Sequence, residues 1–145
     1  MRVQRMSTLA VRDAFRAQLS TMLVPEGFEY IESINRAEST KTLPLKWYTL
    51  DFMASDDNRA ALGVPTLFRE SGRVVVVIMT PQQQLDSEAL AAAEIVRNSM
   101  CNWFDATGQL RVQSAQPPID LDGGDFRGAF YGITVDLLYQ YDRIV

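Results

Sequence analysis

Apolar side chains recur at spacings of three and four over residues 7–23, where Val11, Phe15, Leu19, Met22 and Leu23 fall on one helical face. Ser7 supplies a candidate N-cap, and Pro25 and Gly27 end the segment. Residues 28–45 lose this period. Phe28, Tyr30 and Ile31 fit a short extended piece, and the polar run 38–42 reads as a loop. The period becomes two over 46–53: Tyr48, Leu50 and Phe52 point one way, Trp47, Thr49, Asp51 and Met53 the other, as in a half-buried strand. Ala54 to Gly72 contains Asp56-Asp57-Asn58, Gly63, Pro65 and Ser71-Gly72, and reads as a long connection. The continuous β-branched run in 73–79 predicts a strand covered on both faces, central in its sheet.

Thr80-Pro81 and Gln82–Gln84 predict a turn. A second helix follows over 86–104, capped by Asp86 or Ser87, with Leu85, Ala89, Ala92, Val96, Met100 and Trp103 on its apolar face. Its alanines allow close approach to a sheet. Residues 109–115 predict a strand with Leu110 and Val112 inward, and Pro117-Pro118 with Asp120–Asp125 a polar connection. The cleanest alternation lies in 128–142, with Tyr131, Ile133, Val135, Leu137, Tyr139 and Tyr141 on one face. The resulting order, α-β-β-α-β-β, predicts a two-layer α+β fold: an antiparallel four-stranded sheet with helices packed on one face. At 145 residues the chain fits a single domain spanning 1–145.

Composition narrows the chemistry. The chain contains no histidine, which excludes imidazole bases, Ser-His-Asp and Cys-His nucleophiles and His-ligated zinc. A single cysteine, Cys101, excludes an intrachain disulfide and multi-cysteine metal sites, and reads as a buried thiol. The 14 basic and 18 acidic residues leave a net charge of −4, against a dedicated nucleic-acid binder. Residues 1–46 hold seven basic and five acidic side chains, including Arg2, Arg5, Arg12 and Arg16 on the first segment. That charge fits a solvated helix face or a basic helix meeting an acidic neighbouring subunit. No targeting segment is visible, and the longest apolar run, Val74–Met79, is far below the ~20 residues of a membrane span.

The candidate sites weaken on inspection. A calcium loop starting at Asp120 would place Gly124 and Tyr131 at positions five and twelve, where an oxygen ligand and a glutamate are needed. Asp56, Asp57 and Glu70 offer carboxylates without a visible partner, and Gly123-Gly124 lacks the Gly-Lys-Ser/Thr of a phosphate loop. Ser71 and Ser114 have no base. No catalytic, cofactor or metal site is therefore assigned, and the chain reads as a non-enzyme. Two apolar features stand out instead. Trp47, Met53, Phe130 and Leu138 put apolar side chains on the second face of the sheet, which asks for extra cover. Leu62, Val64, Leu67 and Phe68 cluster in the long connection.

The stretch Trp47-Tyr-Thr-Leu-Asp-Phe52, then Arg59-Ala-Ala-Leu-Gly63, Phe68-Arg69-Glu70-Ser-Gly72, Val74–Pro81, the Ala-rich helix, Gly123-Gly124 and the closing Tyr139-Gln-Tyr141-Asp142 resembles, in order and spacing over roughly residues 5–143, the phage tail terminator-like (tail-completion) proteins. The resemblance implies a small α+β virion subunit that forms a ring, typically a hexamer, on the tail tube of a long-tailed phage or prophage. The ring stops tube polymerisation and prepares head joining. The implied partners are copies of itself, the tail tube protein and a head-completion or neck protein, with no cofactor, no membrane and no specific nucleic-acid binding. The implied location is the host cytoplasm during assembly, then the virion tail. Subunit contacts are expected from Arg59, Leu62, Val64, Leu67, Phe68, Arg69 and Glu70. The alternatives are a head–tail connector or neck subunit and, from another class, a small ligand-binding domain or acid–base enzyme.

Overall fold

Among the described residues, two helices lie against one face of a six-stranded, mostly antiparallel sheet, in the order α1 (Leu9–Leu23), β1 (Glu29–Tyr30), β2 (Trp47–Ala61), β3 (Leu67–Pro81), α2 (Ser87–Met100), β4 (Leu110–Ala115), β5 (Ile119–Leu121) and β6 (Phe130–Ile144). The structure is a computed structural model and describes residues 8–32, 46–61, 67–81, 87–121 and 130–144. The strands run β1-β2-β3-β6-β4 across the sheet, and β5 also pairs with β6. The mixed α+β class matches the sequence expectation. The four-stranded, wholly antiparallel sheet does not, because β1 adds to β2 in parallel, Glu29 beside Trp47, and β5 adds a short antiparallel strand beside Thr134. Both additions are too short to show a period of two.

The central position expected of 73–79 follows from its neighbours. β3 pairs with β2 on one side and with β6 on the other, and Val76 stands between Leu50 and Val135. Val74, Val76 and Ile78 face the helices with Tyr48, Leu50, Phe52, Ile133, Val135 and Leu137. From above, α1 inserts Val11, Phe15, Leu19 and Leu23, and α2 inserts Ala89, Ala92, Ala93, Val96 and Met100. The Phe15 ring sits at the centre, 5.6 Å from that of Tyr139 and 5.7 Å from that of Trp103. Alanine at positions 89, 92 and 93 thins α2 on its inner side, so its backbone can approach the β-branched floor closely.

Two expectations fail inside these elements. Cys101 is exposed, not buried, because α2 ends at Met100 and Asn102 takes a left-handed φ of 61° that turns the chain. The helix start is capped by Thr8 in extended backbone geometry, while Ser7 lies outside the described residues. The Trp103–Leu110 turn is held by Asp105, whose carboxylate accepts from the Thr107 hydroxyl at 2.8 Å and the Leu110 amide at 3.3 Å. Gly108 completes that turn at φ 72°, with open space where a Cβ would stand.

The second face of the sheet is covered at one end and bare at the other. Trp47, Thr49, Val77 and Met79 are all buried, so the cover that the sequence asks for is supplied for them within the chain. Leu138, Phe104 and Ile119 remain exposed. The first helix also uses its charge locally. Arg12 lies over the Phe52 ring at 5.3 Å, and Arg16 lies over Tyr30 at 5.6 Å while donating to its hydroxyl at 3.1 Å. Arg2 and Arg5 are outside the described residues.

Candidate functional site

The stretch Ala54–Gly72, expected as a loop, is mostly strand. β2 and β3 run on as a long hairpin to Ala61 and from Leu67, with only 62–66 outside the described residues. The polar residues Ser55-Asp56-Asp57-Asn58 hide this in the sequence, because they carry no apolar alternation. The break before Gly72 is a bulge: Ala54 faces Gly72, but Asp56 already faces Ser71.

This distal end of the sheet carries the residues expected at a subunit contact. Phe68 stands between Arg59 and Arg143 across the strands, and Arg69 between Asn58 and Asp142. Leu67 and Phe68 are half-buried. The Arg143 guanidinium lies over the Phe68 ring at 5.3 Å. Arg59 contributes to the hairpin through its backbone, its side chain lying outside the described set, as do Leu62 and Val64.

Alternation along β3 sends Arg69 and Glu70 to opposite faces, and each is anchored. On the outer face, Arg69 donates to both oxygens of Asp142, at 2.7 and 3.1 Å, and Arg111 of β4 adds a third bond at 3.1 Å. This fork across β3, β6 and β4 holds the Asp142 carboxyl below its ordinary range, chiefly through the hydrogen bond from Arg69 and against the opposing effect of burial. On the inner face, Glu70 is 5% exposed. Its carboxylate accepts from the Thr8 hydroxyl at 2.6 Å, the Thr8 amide at 3.5 Å and the Tyr139 hydroxyl at 2.8 Å. Glu70 therefore turns inward, to the start of α1. A buried negative charge at a helix start is favoured by the orphan amides there.

Gly72 makes this arrangement possible. A Cβ at that position would lie 2.5 Å from both the Met53 carbonyl oxygen and the Tyr139 hydroxyl. The Tyr139 ring thus crosses the glycine directly opposite it in β6 and reaches Glu70, two residues along β3. The linked set Thr8, Glu70, Gly72 and Tyr139 escapes sequence reasoning because its members are 62 and 69 positions apart. The one available signal is a glutamate at a core-facing position of β3.

Chemically, the arrangement binds and positions. Its carboxylates are held by arginines, hydroxyls and an amide. Among the described residues, no group of three histidine, cysteine, aspartate or glutamate side chains could hold a metal ion. No described helix is long and apolar enough to cross a membrane.

No protein-family model matches the sequence, and no curated protein is similar to it. Among solved structures, one whose designation carries no function matches 94% of this chain and 96% of its own, with a TM-score of 0.57 at 20% identity. At that identity the likeness speaks for the fold alone: the whole arrangement of helices and sheet recurs in another protein of nearly the same length.

Proposed function

We propose that the chain is a structural subunit of a long-tailed phage or prophage, which caps the tail tube as a ring, ends tube polymerisation and prepares head–tail joining. The observation that carries this reading is the β2–β3 hairpin. It runs on beyond Val74, where β3 joins the helix-covered core, and carries Leu67 and Phe68, both half-buried, at its far end. The exposed part of such apolar side chains can be buried by a neighbouring copy, in a heterologous contact whose rotation closes a ring. Leu138, opposite Arg73, and Ile119, on the sheet edge, are exposed apolar side chains on the outer face that a further contact could cover. The family resemblance supplies the tail tube protein and a head-completion or neck protein as further partners. A head–tail connector would use the same surfaces.

Assembly with tail tubes tests the reading. Purified protein added to polymerising tube protein should yield capped tubes of bounded length by electron microscopy, and ring-sized species by native mass measurement. Phe68→Ala should abolish capping while changing the melting temperature by only a few degrees. Tubes that grow without limit in the presence of the unaltered protein would overturn it.

A further inference from the structure

The hairpin end and the first helix meet at one carboxylate. Glu70 is the only described residue of β3 that bonds the start of α1, through the Thr8 hydroxyl and amide, and it also accepts from Tyr139 of β6. Its chain neighbour Arg69 is fastened on the opposite face by Asp142. Two residues from Phe68, β3 is therefore gripped from both sides. Thr8 spends no hydroxyl on capping its own helix. The first turn of α1 depends on the acceptor that β3 brings to it, and β3 depends on donors from α1 and β6.

We propose that Glu70 is a positioning residue that couples the first turn of α1 to the distal β2–β3 hairpin, so that Phe68 is presented for subunit contact in one fixed pose. The contact itself rests on the ring reading above; the coupling does not. Presenting an apolar side chain from a strand already fixed on both faces removes ordering cost from docking. Loss of the carboxylate frees both elements together, because a charged hydrogen-bond acceptor is lost to two partners at once.

Hydrogen exchange of Glu70→Gln and Tyr139→Phe against the unaltered protein tests this, peptide by peptide. In Glu70→Gln, the segments 9–16 and 67–71 should both exchange at least tenfold faster, while 74–79 keeps its protection. Tyr139→Phe removes one donor without a cavity and should give a smaller rise in 67–71. Uniform acceleration over all three segments, or acceleration of only one of 9–16 and 67–71 in Glu70→Gln, would overturn the coupling. In the tube-capping assay, Glu70→Gln should need at least tenfold more protein than its parent. Unchanged capping by Glu70→Gln, with capping lost in Phe68→Ala, would overturn the positioning role and leave the ring reading standing. Unchanged capping by Phe68→Ala would overturn the ring contact and leave the exchange result to decide the coupling.

Discussion

Replacing Gly72 by alanine adds one methyl group at the most crowded backbone position of the sheet. The new Cβ would stand 2.5 Å from the Met53 carbonyl oxygen and 2.5 and 2.7 Å from the Tyr139 hydroxyl and its ring carbon. The carbonyl belongs to the adjacent strand and cannot rotate away, so β2 shifts or the Tyr139 ring lifts. Overpacking of this kind costs about 1–3 kcal/mol. A lifted ring also withdraws the Tyr139 hydroxyl from Glu70, and a buried carboxylate short of a donor costs about 1–3 kcal/mol more. The sum, about 2–6 kcal/mol, is a large share of the about 5–15 kcal/mol that a domain has in total. It corresponds to a drop in melting temperature of roughly 6–24 °C. Differential scanning calorimetry measures it directly. Gly108→Ala is the matched control. It faces open space and suffers only the left-handed φ of 72°, about 1–2 kcal/mol. If Gly72→Ala melts within a few degrees of the parent, or no lower than Gly108→Ala, the ring does not press on the glycine and the account of Glu70 loses its support.

Two further outcomes are expected. Val76→Asp buries an unpaired charge at a fully buried site between Leu50 and Val135, costing at least about 3–5 kcal/mol, so the variant should lack a cooperative transition by circular dichroism; a folded, soluble variant would refute the central position of β3. Because Arg69 lowers the Asp142 pKa from its ordinary 3.8, the unfolded chain binds the proton first as pH falls. The stabilisation is present above the ordinary value and is lost as pH drops through the lowered one. Urea titrations should then show a steeper acid loss in the parent than in Asp142→Asn, and equal slopes would contradict the lowered value.

What was legible in the sequence tracks burial. The strand 73–79 and the face Tyr131 to Tyr141 were readable because one or both sides meet the core, and the pattern of side chains records it. The α1 stripe of Val11, Phe15, Leu19 and Leu23 was readable for the same reason. The distal halves of β2 and β3 were not. Their pairing is made by backbone hydrogen bonds outside the core, which leave no period in the side chains. β1 and β5 contain two and three residues, too few for any pattern. Cys101 was misjudged because the helix, expected to run to 104, stops at Met100, and Trp103 continues the apolar stripe from the turn. Of the expected contact residues, Leu67, Phe68, Arg69 and Glu70 lie along the distal end of β3, and the inward turn of Glu70 follows from strand parity. Parity could not be assigned while the segment read as a loop.

The position of β6 has a consequence for how the chain acquires its structure. It pairs with β3 along fifteen residues and also holds β4 and β5. Until residue 144 has emerged from the ribosome, three strands lack their shared neighbour. The β2–β3 hairpin can close earlier, since its strands are adjacent in sequence, but the β3 edge carrying Val74–Met79 then stays open. Pairings so distant along the chain form slowly, and an open apolar edge is prone to the wrong partner meanwhile. A chain halted before β6, which is made after the three strands it joins, would leave the apolar edge of β3 open.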